Sequence, residues 1–283
     1  MSNQKASLYI VSTPIGNLGD ISQRAIATLQ AVDLIACEDT RHSGKLLQHL
    51  SISTPCVAFH EHNEREKTAS LIDRLQKGDS IALISDAGTP LLSDPGFHLV
   101  RTAHEAGIRV IPVPGPSALL SALVAAGLPT DRFVFEGFLP NKQIARQKYL
   151  SGLLAQTASL VFYEAPHRIL ACLQDMVDVF GEDRQAVMAR ELTKTYETIK
   201  CDSLGNLLAW VEQDSNQQRG EIVLVVAGAK PPAEGDLSPE TLRVLQLLLA
   251  ELPVKQAASL TAEITGQKKN RLYQAALKLT DRS

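Results

Sequence analysis

The sequence predicts an α/β protein made of two α/β domains and a small C-terminal helical extension. Three observations carry this. Short apolar runs alternate with longer stretches of helical spacing as far as Val113. A Pro/Gly cluster at Pro112, Pro114, Gly115 and Pro116 interrupts the alternation, which then resumes. Beyond Lys230 only helical spacing remains. Strands alternating with helices of this length imply parallel pairing through right-handed crossovers.

In the first part, Leu8–Ser12, Leu34–Cys37, Val57–His60, Ile81–Ser85 and Arg109–Val113 read as strands. Helices are expected at Ile21–Gln30, where Ile21, Ala25, Ile26 and Leu29 recur at helical spacing, and at Arg41–Leu50, Glu64–Gln76 and Gly96–Ala106. A helix at Ser117–Ala126 stops at Gly127 and Pro129. The domain boundary is placed between Pro114 and Leu128, giving domains 1–116, 117–230 and 231–283.

In the second part, Phe133–Phe138, Ser159–Tyr163, Ala186–Arg190 and Ile222–Ala227 read as strands. Asn141–Ala155, His167–Phe180 and Leu204–Gln213 read as helices, and Asp214–Gly220 as a polar hairpin or loop. Lys230–Gly235 looks like a linker. Three helical segments follow, at Pro239–Glu251, Pro253–Ile264 and Gln267–Leu279.

Composition narrows the function. The 283 residues are 45% apolar and 21% charged, ordinary for a globular chain with a sizeable core. With a net charge of −3, nucleic-acid contact needs a local basic patch. One exists: from Glu251 to Ser283, six basic residues face three acidic ones. Cys37, Cys56, Cys172 and Cys201 are scattered, without C-x-x-C or nearby His at ligand spacing. This argues against zinc and disulfides and for free thiols. Residues Met1–Ala6 have no signal-peptide character, and no apolar run reaches membrane-helix length. A cytoplasmic protein is expected.

Three loops follow strands, where open α/β sheets bind ligands. Ser12–Asp20 carries Gly16 and Gly19 but is neither G-x-G-x-x-G nor a Walker A. It is a ligand loop or a plain turn capped by Asp20 or Ser22. Ser85–Gly96 is long for a βα connection. Its Asp86 ends an apolar strand and is placed to accept from an amino group or a ribose. Asp94-Pro95-Gly96 reads as the turn into the next helix. In Pro114–Ala118, Ser117 caps a helix or offers its amide to a carboxylate.

Four polar clusters also follow strands: Cys37–His42, His60–Arg65, Tyr163–Arg168 and Ala189–Lys194. His60, Glu61 and His62 lack a third ligand for a metal. Arg168, Arg190 and Lys194 either hold phosphates or pair with neighbouring glutamates.

Together, STPIGNLGD, CEDTRHS, SDAGTPLLSDPG, PGPSA, YEAPHR and RELTK resemble the tetrapyrrole-methylase superfamily, and within it the branch of small-subunit ribosomal RNA methyltransferases I, over about Leu8–Ala229. The resemblance implies two α/β domains of the tetrapyrrole-methylase type, with S-adenosylmethionine in the cleft between them, and a homodimer. It also implies 2′-O-methylation of a cytidine ribose in the decoding centre of 16S rRNA on the 30S subunit, without a metal. The superfamily's first glycine-rich loop falls on Pro14–Asp20, although Thr13-Pro14-Ile15 departs from its glycine pattern. The cofactor residues would be Pro14, Asp86, Ala87, Gly88, Thr89, Pro90, Pro116, Ser117 and Ala118. The second domain would add Tyr163, Glu164, Arg190, Glu191 and Gly228.

For such a reaction, a base is expected among Glu38, Asp39, His60 and Glu61. Arg41, Asn63, Arg168 and Lys194 would hold the nucleotide. The tail resembles a helix-turn-helix, with Lys268, Lys269 and Arg271 on phosphates; a helical dimer or packing extension is the alternative. A corrin or porphyrin methylase, a nucleotide hydrolase and a non-catalytic RNA-binding assembly factor remain open.

Overall fold

The computed structural model describes residues 6–230, 237 and 239–280. The expected linker lies outside them from Pro231 to Gly235, as do Met1–Lys5 of the N-terminal segment. By contacts the chain forms two compact units: 1–154 with 158–227, and 155–157 with 228–283. Among the described residues no helix is long and apolar enough to cross a membrane.

The first unit holds two sheets. The first contains β1 (Ser7–Val11), β2 (Leu34–Cys37), β3 (Cys56–Ala58), β4 (Ile81–Ile84) and β5 (Arg109–Val113), in the order β3-β2-β4-β1-β5. All its pairings are parallel. β2 and β4 are buried along their whole length, as strands covered on both faces must be. Helices α1 (Gln23–Ala31) and α2 (Thr40–His49) bury Ala25, Leu29 and Leu47 on one face, against Ile35, Ala82 and Ile84. Helices α3 (Glu64–Gln76) and α4 (Phe97–Glu105) bury Leu71, Leu75 and Leu99 on the other, against Leu34, Ala36 and Leu83. The chain leaves β1 toward β2 and leaves β4 toward β5, in opposite directions along the sheet. The crevice at the ends of β1 and β4 is therefore the topological switch point, where such sheets bind ligands.

Helix α5 (Ala118–Ala125), capped by the Ser117 hydroxyl accepting from Leu120 N–H, leads into the second sheet. That sheet contains β6 (Phe133–Phe138), β7 (Ser159–Glu164), β8 (Gln185–Arg190), β9 (Thr198–Ser203) and β10 (Ile222–Val226), in the order β6-β7-β10-β8-β9. Only β6 and β7 pair in parallel; the other ladders are antiparallel. The general expectation of parallel pairing is corrected here, because β8 turns directly into its neighbour β9 without a helix, and β10, reached through α8, inserts antiparallel between β7 and β8. Helices α6 (Gln143–Leu153), α7 (Ile169–Phe180) and α8 (Leu204–Gln213) cover one face through Leu150, Leu173, Met176 and Leu207. The opposite face, with Val161, Val187, Ala189, Val223 and Val225, packs against Leu119, Ala122 and Leu123 of α5.

Strand β9 was not expected from the sequence. Its apolar residues point away from the core: Ile199 and Cys201 are exposed, while Lys200 lies over the Trp210 ring and pairs with Asp202.

The second unit contains α9 (Pro239–Glu251), α10 (Val254–Thr265) and α11 (Lys269–Thr280) around Leu245, Ala257, Ala258, Leu272 and Ala276. Gly266, at φ 67°, ends α10 in the left-handed conformation that favours glycine.

Candidate active site

The loops after β1, β4 and β5 are tied into one surface. Thr13 and Gly88 exchange backbone hydrogen bonds, with Thr13 N–H donating to Gly88 O at 2.8 Å and Gly88 N–H to Thr13 O at 3.0 Å. The Ser12 and Thr89 hydroxyls lie 2.9 Å apart, and Thr89 donates to Pro116 O at 3.0 Å. A Cβ at Gly115 would meet Ser12 Cβ at 3.0 Å, so this position requires glycine for the close approach.

The first loop also touches the Glu191–Lys194 loop of the second sheet. Asn17 N–H donates to Thr193 Oγ1, and a Cβ at Gly16 would overlap the Lys194 side chain. In the second loop, Leu91 (φ 73°) and Ser93 (φ 68°) are in the left-handed region without being glycines. Such strain persists only where surrounding structure over-determines it, and it clusters at functional sites. Ser93 Oγ would lie 3.1 Å from a Cβ at Gly137, the residue after the β6 bulge.

A cavity of about 460 Å³ opens between these loops and the second sheet. Its walls include Asp86, Ala87, Gly88, Thr89 and Ala118 from the expected cofactor loops, and Tyr163 and Glu164 from β7. Ile15, Leu92, Phe138, Leu192 and Val223 supply apolar surface. Five carboxylates line it, Glu38, Asp86, Asp94, Glu164 and Glu221, and no Lys, Arg or His does. Glu164 accepts from Ala165 N–H and pairs with Arg168, and Glu221 pairs with Lys194. Among the described residues no salt bridge reaches Glu38, Asp86 or Asp94, although His60 near Glu38 pulls that carboxyl down. Burial pushes Glu38 up from its ordinary value, and Asp86 beside it pushes the same way. Tyr163 is raised chiefly by burial; its hydroxyl oxygen accepts from Leu119 N–H at the start of α5.

The remaining expected residues fall into two groups. Pro14, Pro90, Pro116 and Ser117 lie in the three loops next in the chain to lining residues but do not themselves line the cavity. The others are engaged elsewhere. Asp39 caps α2, accepting from Arg41 N–H, and its own N–H donates to Asp86 Oδ1. Arg41 and Glu61 are exposed. Asn63 accepts from His60 N–H and donates to Ala58 O, closing the turn into α3. His60 has a buried Nδ1 without a hydrogen-bond partner. Arg168 holds Leu139 O, Asn141 and Glu164. Arg190 is buried on Gln217, Tyr196 O and Thr198. Lys194 is locked by Glu191 and Glu221. Gly228 belongs to the second unit, as do the exposed Lys268 and Lys269 and the partly exposed Arg271. Among the described residues, no group of three or more His, Cys, Asp or Glu is placed to hold a metal.

Sequence reasoning missed Asp94 as a site residue. The available signal was the length of its loop, and a Asp-Pro-Gly turn explained Asp94 too easily.

Comparison with known proteins places this geometry. The family model "Tetrapyrrole (Corrin/Porphyrin) Methylases" matches residues 7–208, and "RsmI C-terminal HTH domain" matches residues 235–280. The curated "Ribosomal RNA small subunit methyltransferase I" of Pseudomonas aeruginosa is 60% identical over 98% of this chain and 99% of its own length. Its namesake from Escherichia coli O157:H7 is 58% identical over 97% and 96%. A solved diphthine synthase superposes with a TM-score of 0.60, covering 78% of this chain and 90% of its own; at 18% identity it speaks for the fold alone. The chain belongs to the tetrapyrrole methylase family, in the ribosomal RNA small subunit methyltransferase I branch.

Proposed function

We propose that this chain transfers a methyl group from S-adenosylmethionine to the 2′-hydroxyl of a cytidine ribose in the decoding centre of 16S rRNA. It would act in the cytoplasm on the 30S subunit, as a homodimer with domains 1–116, 117–230 and 231–283. The carrying observation is the cavity itself: it sits at a switch point and its free carboxylates face no lining cation. Such a wall suits a cationic ligand. Its volume is within the roughly 300–1,000 Å³ of small-molecule sites, and Ile15, Leu92 and Phe138 offer apolar surface to a flat ring.

The cofactor, when bound, supplies an electrophilic methyl group on a sulfonium. The chain's own part is alignment of the acceptor, which contributes several kcal/mol to catalysis. Asp86, Gly88, Thr89 and Ala118 would hold the cofactor, with Tyr163 and Glu164 opposite. The names of the relatives support an rRNA acceptor. Lys268, Lys269 and Arg271 would engage phosphates, which a small tetrapyrrole lacks. A tritiated-methyl transfer assay on undermethylated 30S subunits tests the reading. Label is expected at a cytidine ribose, and absence of transfer to RNA overturns it.

The dimer reading has its own support. The α5 face of the second sheet leaves Leu120 (50%), Val124 (77%), Phe133 (41%) and Ile199 (38%) exposed. An exposed apolar surface of this kind marks an association site. A Leu120→Asp/Val124→Asp variant should elute as a monomer by light scattering while the parent elutes as a dimer. Both residues are exposed, so the protomer's own stability should change little. A variant that stays dimeric removes this face as the interface.

A further inference from the structure

We infer that Tyr196 and Arg219 form a contact patch for unpaired RNA beside the cavity, Tyr196 stacking on a base and Arg219 meeting a phosphate. The inference rests on the RNA-acceptor reading above and adds the surface that receives the strand.

The topology sets the patch at one edge of the second sheet. β6, β7 and β8 run the same way, and β9 and β10 run against them. Phe138, Glu164, Arg190, Thr198 and Ile222 therefore end or begin their strands at a common edge. Phe138, Glu164 and Ile222 line the cavity there. The loop from Glu191 to Glu197 joins β8 to β9 at this edge, and its Leu192 lines the cavity too. Arg219 immediately precedes Gly220 and Glu221, two further lining residues. β9 is two strand positions from β10, so its start lies roughly 10 Å along the edge from Ile222.

Arg190 clasps both loops. Its buried guanidinium donates from Nη2 to Tyr196 O at 3.2 Å, from Nη1 to Arg219 O at 3.5 Å and from Nε to the Gln217 amide oxygen at 3.1 Å. Other bonds fix the first loop. The Glu197 carboxylate accepts from Thr193 N–H at 2.7 Å, and Thr193 Oγ1 accepts from Asn17 N–H. Glu191 (φ 52°) and Thr193 (φ 65°) occupy the left-handed region although neither is glycine, a strain that only over-determined surroundings sustain.

What these loops carry outward is unengaged. Tyr196 is 72% exposed, and among the described residues no hydrogen bond or ring contact engages its side chain. A single exposed apolar side chain is ordinary on a surface. A strained loop whose bonds all go to presenting one is not. Arg219 is exposed and, among the described residues, forms no ion pair, whereas neighbouring Lys194 is taken by Glu191 and Glu221. Arg190 bonds carbonyls, an amide and a hydroxyl, and no ion pair reaches it either. Two guanidinium groups without carboxylate partners favour a polyanion, and the ring beside them offers its face to any base. Unpaired RNA supplies phosphates and splayed bases together.

The test is binding of undermethylated 30S subunits, read by filter retention and by single-turnover transfer. Tyr196→Ala should raise the Kd and the half-saturating subunit concentration about tenfold. Tyr196→Trp should bring both back to within about threefold of the parent, because it restores a stacking face. Stacking carries no net charge, so Tyr196→Ala should keep the parent's salt dependence, while Arg219→Ala should lower the slope of log Kd against log salt by about 1. The calorimetric Kd for S-adenosylmethionine should stay within about twofold in all three variants, and so should the fold, since both side chains are exposed. A Tyr196→Ala Kd within about twofold of the parent's, no rescue by tryptophan, or an unchanged slope for Arg219→Ala overturns the patch. So does a Tyr196→Ala variant that loses cofactor affinity or elutes as a monomer where the parent is a dimer, because the ring then serves the cofactor or the interface. A parent that neither retains nor labels 30S subunits overturns the RNA-acceptor reading and the patch together; a parent active on them with variants that match it overturns the patch alone.

Discussion

An Asp175→Ala variant is expected to lose about 3–5 kcal/mol of stability, because removing one partner of a buried ion pair strands the other charge. Asp175 has no exposed side-chain surface and Arg146 only 4%. Arg146 Nε donates to Asp175 Oδ2 at 2.6 Å, and the Gln143 and Gln147 amides donate to Oδ1. The remaining guanidinium contacts are carbonyls of Pro140, Asn141 and Ala171, which leave the positive charge uncompensated once the carboxylate is gone. The pair joins α6 to α7 and holds the Pro140–Asn141 turn that follows β6, whose Phe138 lines the cavity. The melting temperature should drop on the order of 10 °C, and cofactor affinity should fall with it near the melt. Arg146→Met/Asp175→Leu should recover most of the loss, since an apolar pair of similar volume strands no charge. Circular-dichroism melts decide the matter: a single variant within 2 °C of the parent would mean that the pair contributes little.

The first sheet was legible because its strands are buried on both faces. Leu34–Cys37 and Ile81–Ile84 are unbroken apolar runs, and the helices between them carry clear spacing. The second sheet's pairing was not. Antiparallel return depends on which strands meet, and β8 and β10 show the same apolar runs that a parallel strand would. Strand β9 escaped because it lacks the buried alternation of a core strand: Ile199 and Cys201 are exposed and alternate with the partly covered Lys200 and Asp202. At the site, the positions of the loops could be read, since ligands gather at strand ends. The fate of single polar residues could not. Asn63, Arg168 and Arg190 have the chemistry to grip a nucleotide, yet each is spent on backbone carbonyls and neighbouring side chains brought close only by folding. Asp94 shows the converse: it sits in a turn motif, and only the third dimension places it in the cavity with no cation to pair.

A Gly88→Val variant should bind S-adenosylmethionine at least 100-fold more weakly than the parent while keeping its far-ultraviolet circular dichroism. Gly88 has φ 84°, which costs a β-branched residue about 1–3 kcal/mol. Its Cβ would press on Ile15 Cγ2 at 3.3 Å, and Ile15 is buried against the second sheet and lines the cavity. Valine therefore has no side to yield to: turning away breaks the paired hydrogen bonds with Thr13, and staying pushes Ile15 into the ligand space. Either way the three loops lose their common surface, because Thr89, next in the chain, carries the links to Ser12 and Pro116. The strand cores on either side are untouched, so the damage should stay local. Calorimetry on the variant separates two accounts of this loop. If affinity survives within threefold, the loop is a structural clasp and the cofactor is held elsewhere. If it collapses while the melting temperature moves only a few degrees, the Thr13–Gly88 bridge is the floor of the cofactor site, and glycine is needed there for backbone conformation and clearance together.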